Sequence, residues 1–180
     1  GYAPQKNANA AGRKKYWDKL FDVVTDCIGQ ELMLLTDANG RIGRDNYNHE
    51  YEKVPQGTGC NLYHPITDSN GKSLLELLDT YRLHALNTQF MPPRNDAECL
   101  ATFEQTNRNG VVAKSQIDYV IVSEGLRHMV SKCCVARYTL GVAREGRLGT
   151  GHKPVLATFK PALLAAMKNG ESEKKPTIPY

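Results

Sequence analysis

The chain has 180 residues, 41% of them apolar and 23% charged, with a formal net charge of +4 and a pI near 8.8. This suits one ordinary globular domain with a real core and excludes a disordered polyelectrolyte. It holds no apolar run approaching the roughly 20 residues of a membrane helix, and no signal-peptide pattern opens it.

Read from its start, the chain opens Gly-Tyr-Ala-Pro rather than on methionine, as expected of a fragment or a processed piece. Gly1 to Gln5 reads as an extended segment stopped by Pro4. Tyr16, Trp17, Leu20, Phe21, Val24 and Ile28 recur at three- and four-residue steps, which predicts an amphipathic helix over 12–28 with Gly29 as its stop. Leu32 to Leu35 is a continuous apolar run of strand length, expected to be buried on both faces. Gly40 to Gly71 is polar and rich in Gly, Asn, Asp and Tyr, and reads as a long surface excursion. Lys72 to Tyr81 reads as a short helix with Leu74, Leu75, Leu77 and Leu78 on its buried side.

Leu83, Ala85 and Asn87 alternate with their neighbours, predicting a strand into Phe90 before a Pro92-Pro93 turn. Leu100 to Gln105 and Ile117 to Val122 read as strands around a turn at Thr106 to Gly110, and Cys133 to Leu140 and Pro154 to Phe159 complete the strand set. After Lys160 the composition shifts to Ala, Lys, Glu and Pro, a short helix followed by a linker or tail. The domain is therefore expected over 1–160 with an appended 161–180, and the interleaving without a strict βαβ rhythm predicts a mixed-sheet α/β domain.

The five cysteines form no C-x-x-C pair, and Cys133 and Cys134 are expected on opposite faces of a strand. Free thiols in a reducing, intracellular compartment follow. Cys60 and His64 have no second pair at ligand spacing to complete a zinc site. The basic clusters Arg13-Lys14-Lys15, Arg137 to Arg147 and Lys168 to Lys175, each taken singly, read as solvated faces; together they are compatible with a polyanionic partner.

Three stretches carry chemistry: Thr36-Asp37-Ala38-Asn39 after an apolar run, Ile117-Asp118-Tyr119 opening another, and Thr150-Gly151-His152 before a third. Two acids, an amide and a late histidine are the groups that phosphoryl hydrolysis uses. A carboxylate holds a cation or orients water, an amide holds phosphate, and an imidazole backed by an acid moves a proton. Each has a structural alternative. Asp37 to Gly40 also suits a turn closed by its own side chains, Asp118 a polar strand start, His152 a structural histidine, and Tyr2 simple packing.

Taken in order, these stretches resemble the endonuclease/exonuclease/phosphatase family, the group of DNase I, the abasic-site endonucleases and the retrotransposon endonucleases. Tyr2-Ala3-Pro4-Gln5 looks like its Y-x-P segment, Asp37-Ala38-Asn39 its G-D-x-N, Ile117-Asp118-Tyr119 its I-D-Y, and Thr150-Gly151-His152 its S-D-H. Asn70-Gly71, Leu74-Leu75 and the run Leu83 to Phe90, containing Asn87-Thr88-Gln89-Phe90, are similar to the non-LTR retrotransposon endonucleases. The Lys-rich tail resembles the linker leading from such endonucleases to a reverse transcriptase.

The resemblance covers residues 1 to about 160 and matches only the second part of the longer family domain. It implies a DNase I-like α/β sandwich, N-terminally incomplete. It implies Mg²⁺-dependent hydrolysis of a DNA phosphodiester, with Tyr2 and Asn39 on the phosphate and Asp37 on the water or a cation. Asp118 would orient His152, and Gln5 and a hairpin bearing Arg108 and Lys114 would meet the nucleic acid. That hairpin reads equally as a solvated turn.

Two departures bear on activity. Gly151 occupies the expected acid position, leaving a gap on the cation side, and the family's early metal-binding glutamate has no counterpart here. Activity is expected to be impaired. The alternatives are a degenerate, non-catalytic nucleic-acid- or protein-binding relic, and a phosphoesterase of small molecules. The implied setting is nuclear if the source is eukaryotic.

Overall fold

The computed structural model describes residues 1–5, 7–46, 55–90, 97–106, 109–136 and 151–160. Arg108, Thr150, the Arg137 to Arg147 cluster and the tail 161–180 fall outside them. The first helix, α1, spans Ala10–Thr25. It begins earlier than the apolar spacing predicts because the Asn9 side chain caps it, accepting from Gly12 N at 2.6 Å. It ends earlier because Cys27 N and Ile28 N turn back onto carbonyls three residues away, and Gly29 then adopts φ 83°. Trp17 and Val24 are buried, whereas Ile28 is 68% exposed.

Strand β1 (Met33–Asp37) and β5 (Asp118–Val122) pair antiparallel over their full lengths, with Asp37 directly opposite Asp118. The two-residue strand β2 (His84–Ala85) pairs with the other edge of β5, giving the order β1-β5-β2. On the outer edge of β1 Tyr2 forms a parallel bridge with Asp37. The expectation that β1 is buried on both faces fails. Leu34 and Thr36 turn inward, but Met33 is 44% and Leu35 60% exposed. The reason is position: β5 lies mid-sheet, whereas β1 is near an edge and its outward face has no covering layer among the described residues.

One face of this sheet, with Leu34, Tyr119 and Ile121, packs on α1 and on α2, which spans Ser69–Tyr81. Helix α2 starts before Lys72 because Asp68 caps it, its Oδ1 accepting from Gly71 N at 2.8 Å. Its Leu74, Leu77 and Leu78 are fully buried, each a burial on the order of 2 kcal/mol; Leu75 is half-buried. The opposite face, with Val120 and Val122, packs on a second antiparallel pair, β6 (Val130–Val135) and β7 (Val155–Phe159), together with Leu86, Leu126 and Cys133. Helices on one face and a second sheet on the other make the α/β sandwich expected.

Other expectations shift locally. The excursion after Gly40 is no loose surface loop in its described parts: Ile42 and Leu62 are buried and Gly43 bridges to His64. The predicted strand into Phe90 stops at Ala85, because the chain curls into a one-turn helix, α3 (Leu86–Gln89), that turns the Asn87 side chain onto β5. Ala97–Leu100 is a 3-10 turn, so the strand there, β3, is Phe103–Thr106, paired in a hairpin with β4 (Val112–Ser115). A short helix, α4 (Glu124–Arg127), joins β5 to β6, and β6 begins at Val130 rather than Cys133.

Cys27, Cys60, Cys133 and Cys134 are free thiols, with Cys133 buried and Cys134 half-buried on opposite faces. Burial pushes the Cys133 thiol up to about 12. No helix among the described residues is long and apolar enough to cross a membrane.

Candidate active site

Four structural elements meet at one end of the sheet. β1 delivers Asp37 and the loop after it Asn39, and β5 opens with Asp118. The segment leading into β7 brings His152, which forms an antiparallel bridge with Phe103. His152 Nδ1 lies 3.1 Å from both Asp118 carboxylate oxygens, and His152 Nε2 lies 3.8 Å from Asp37 Oδ2. Asp37, Asp118 and His152 each place one ligand-capable atom within 4.8 Å of the others.

Each position has a local cause. The Asp118 backbone is fixed from two sides. Thr102, fully buried, accepts from Ile117 N and Asp118 N at 3.0 Å each through its hydroxyl. Asn87 donates to Asp118 O at 3.1 Å and accepts from Val120 N at 3.3 Å. His152 is held by Glu104 N donating to Gly151 O and Lys153 N donating to Thr102 O. Thr102 thus ties both halves of the acid–histidine pair to one hydroxyl-bearing residue. It escaped sequence reasoning because its role runs through backbone contacts; only its place at the start of a strand hinted at it.

Asp37 and Asn39 form the turn considered as their structural alternative and also face the site. Asn39 N donates to Asp37 Oδ1 at 2.9 Å, and Asn39 takes φ 42°, a region asparagine tolerates. The Asn39 amide donates to Ala3 O at 2.7 Å, leaving its second N–H for a ligand. The loop is pinned from behind by Asn70, which donates to Pro4 O and Asn39 O and accepts from the Trp17 indole.

The Asp37 carboxyl is raised above its ordinary value, chiefly because burial penalises its charge. The Asn39 N–H and His152 oppose that shift and the Asp118 carboxylate adds to it.

A cavity of about 520 Å³ opens beside this cluster, lined by Tyr2, Gln5, Asn39, Arg41, Phe103 and His152 among others. Tyr2 is 60% exposed, and Gln5 Nε2 sits 3.5 Å from its hydroxyl. Phe103 meets the His152 ring edge-on at 4.8 Å between centroids. Lys114 lies on the hairpin opposite Glu104, 3.8 Å from its carboxylate; Glu104 also pairs with Lys153.

Gly151 departs from expectation. It leaves no gap: a Cβ there would lie 1.7 Å from Glu104 O and 2.7 Å from Glu104 C. The backbones of 151 and 104 are in such close approach that a side chain at 151 would have to displace β3. Restoring an acid by substitution alone is therefore not accommodated in this arrangement.

No family model matches the chain, and no curated protein does either. Solved structures do. The endonuclease domain of TRAS1, a telomere-specific non-LTR retrotransposon, superposes with a TM-score of 0.54 at 16% identity, over 88% of this chain and 55% of that one. The 3′-5′ exonuclease NExo from Neisseria meningitidis superposes with a TM-score of 0.56 at 20% identity, over 82% of this chain and 53% of that one. The Neisseria NExo 3′ phosphatase bound to product DNA hairpin gives 0.54 and 18% over the same shares. The chain thus spans about half the length of the structures it matches, and it has the DNase I-like α/β fold.

Proposed function

We propose that this domain hydrolyses DNA phosphodiester bonds with the assistance of a divalent cation, at an intrinsically low rate. The observation that carries the reading is the convergence of Asp37, Asp118 and His152 within 4.8 Å, from segments far apart in sequence, beside a cavity lined by Tyr2 and Asn39. The fold shared with nucleases and a DNA 3′ phosphatase supports the substrate class.

In this reading Tyr2 and the free Asn39 N–H bind the scissile phosphate. Asp118 holds the His152 ring through Nδ1, which aims Nε2 at the phosphate. Asp37 orients the attacking water as its oxygen bonds to phosphorus, its proton passes to bulk water and the opposite P–O bond breaks, the departing oxygen keeping the electron pair. Two carboxylates facing each other across paired strands, with an imidazole beside them, suit a hard divalent cation such as Mg²⁺ whose remaining ligands are waters and phosphate oxygens. That cation, when bound, stabilises charge developing on the phosphate. Gln5 and the hairpin with Arg108 and Lys114 would contact flanking nucleic acid. Residues 1–160 act in this reading as one unit and 161–180 as an appendage; its resemblance to a linker toward a reverse transcriptase bears only on a longer parent chain.

The low rate follows from a glycine at 151, where the resemblance expects an acid. The same glycine favours a second reading, a DNA-binding module without turnover. Nicking of supercoiled plasmid at high protein concentration tests both. The expected result is slow nicking with Mg²⁺, abolished by EDTA and by His152→Ala. Nicking that survives both changes overturns the first reading; binding of oligonucleotide with no nicking at all selects the second.

A further inference from the structure

Arg41 stands apart from the other cations near the site. Lys153 pairs with Glu104, Lys114 faces the same carboxylate, and Arg44 donates to Leu62 O. The Arg41 guanidinium makes no hydrogen bond or ion pair among the described residues, yet it lines the cavity that holds Tyr2, Asn39 and His152. Its backbone, by contrast, is tightly fixed. Arg41 N donates to Asp68 Oδ1 at 3.0 Å, Asp68 N donates to Arg41 O at 3.1 Å, and a Cβ at Gly71 would lie 2.0 Å from Arg41 O. Asp68, the acid on the same cavity wall, accepts through Oδ1 from Arg41 N and from Gly71 N at the α2 N-terminus, whose dipole offsets its charge. A rigid mount with an unspent planar fork is an arrangement suited to a phosphate, which guanidinium binds in a bidentate way.

We propose that Arg41 is a positioning residue for a second phosphate of the bound strand, adjacent to the one at Asn39 and His152. The cavity would then take a polynucleotide segment rather than an isolated phosphate ester. An isolated monoester, offering one phosphate, would gain nothing from Arg41, so the residue favours a strand over a free phosphate ester. This inference rests on the phosphodiesterase reading.

The test is equilibrium binding of a fluorescent oligothymidylate of about eight nucleotides, in EDTA, across a salt series. Arg41→Gln should weaken binding several-fold at low salt and reduce the slope of log affinity against log salt by about 0.7, the share of one phosphate contact on a single strand. Arg41→Lys should restore the slope, and the thermal midpoints of both variants should match the parent, since Arg41 is exposed. An Arg41→Gln slope equal to the parent's overturns the inference, as does an affinity loss with no change of slope. Failure of the parent chain to bind the oligonucleotide sinks this inference together with the function proposed above. Failure of the nicking experiment alone leaves the Arg41 result standing as a binding property.

Discussion

Thr102 and Asp118 are joined by a hydrogen bond, 3.0 Å long, that runs from the backbone N–H of the half-buried Asp118 to the hydroxyl oxygen of the fully buried Thr102. The same oxygen accepts from Ile117 N, and the Thr102 carbonyl accepts from Lys153 N, so one residue sets the spacing between the acid and its histidine.

Thr102→Val keeps the shape and removes the acceptor. The buried Ile117 N–H and the part-buried Asp118 N–H lose their partner, the buried one at a cost on the order of 1–3 kcal/mol. The expected outcome is a clear fall in the urea midpoint with no change in m-value, while Thr102→Ser stays close to the parent. A parental midpoint for Thr102→Val would remove Thr102 from this role.

Asp118 fixes the His152 tautomer by accepting from Nδ1. ¹⁵N chemical shifts of His152 should therefore report a protonated Nδ1 in the neutral ring, and Asp118→Asn should shift the balance toward Nε2–H. In the nicking experiment the same variant should lose about 10²-fold or more, the usual scale of positioned acid–base assistance. An unchanged tautomer would break the link between the pair.

Gly151→Ala and Gly151→Asp should both destabilise, by about 1–3 kcal/mol or more, because the new Cβ meets the Glu104 backbone. Calorimetry of Mg²⁺ binding should show no gain for Gly151→Asp. A folded Gly151→Asp variant with parental stability and tighter cation binding would mean that β3 can yield.

His64 supplies a pH dependence away from the site. Burial, aided by Arg41 and opposed by Asp68, lowers it to about 4, and in its neutral form Nε2 accepts from Gln116 N at 3.1 Å. The folded state thus stays neutral where the unfolded chain, titrating near 6.5, takes up a proton. Stability is insensitive to this group above about pH 6.5 and falls between 6.5 and about 4, by up to about 3 kcal/mol. His64→Gln retains an acceptor and should flatten the acid limb of the stability profile. An unchanged acid limb would assign it to other groups.

Much of this was legible in the chain. Asp37, Asn39, Asp118 and His152 stood out because short motifs around them, taken in order, resemble those of a nuclease family, and that order indicated a DNase I-like fold. Strand and helix existence also followed from apolar periodicity, which reports which side of an element is buried.

Tertiary structure decided the rest. Periodicity cannot show whether a strand lies at the middle or the edge of a sheet, so Leu35 was expected to be buried and is exposed. It is silent on backbone contacts, so Thr102, which clamps β5, carried no chemical signature, and Asn87, which clamps it too, stood out only within the Asn87-Thr88-Gln89-Phe90 run. A glycine in a motif reads as a missing side chain, yet at position 151 the neighbouring backbone of Glu104 occupies the space. Close approach between chain segments distant in sequence is a property of packing, and no local pattern of residues encodes it.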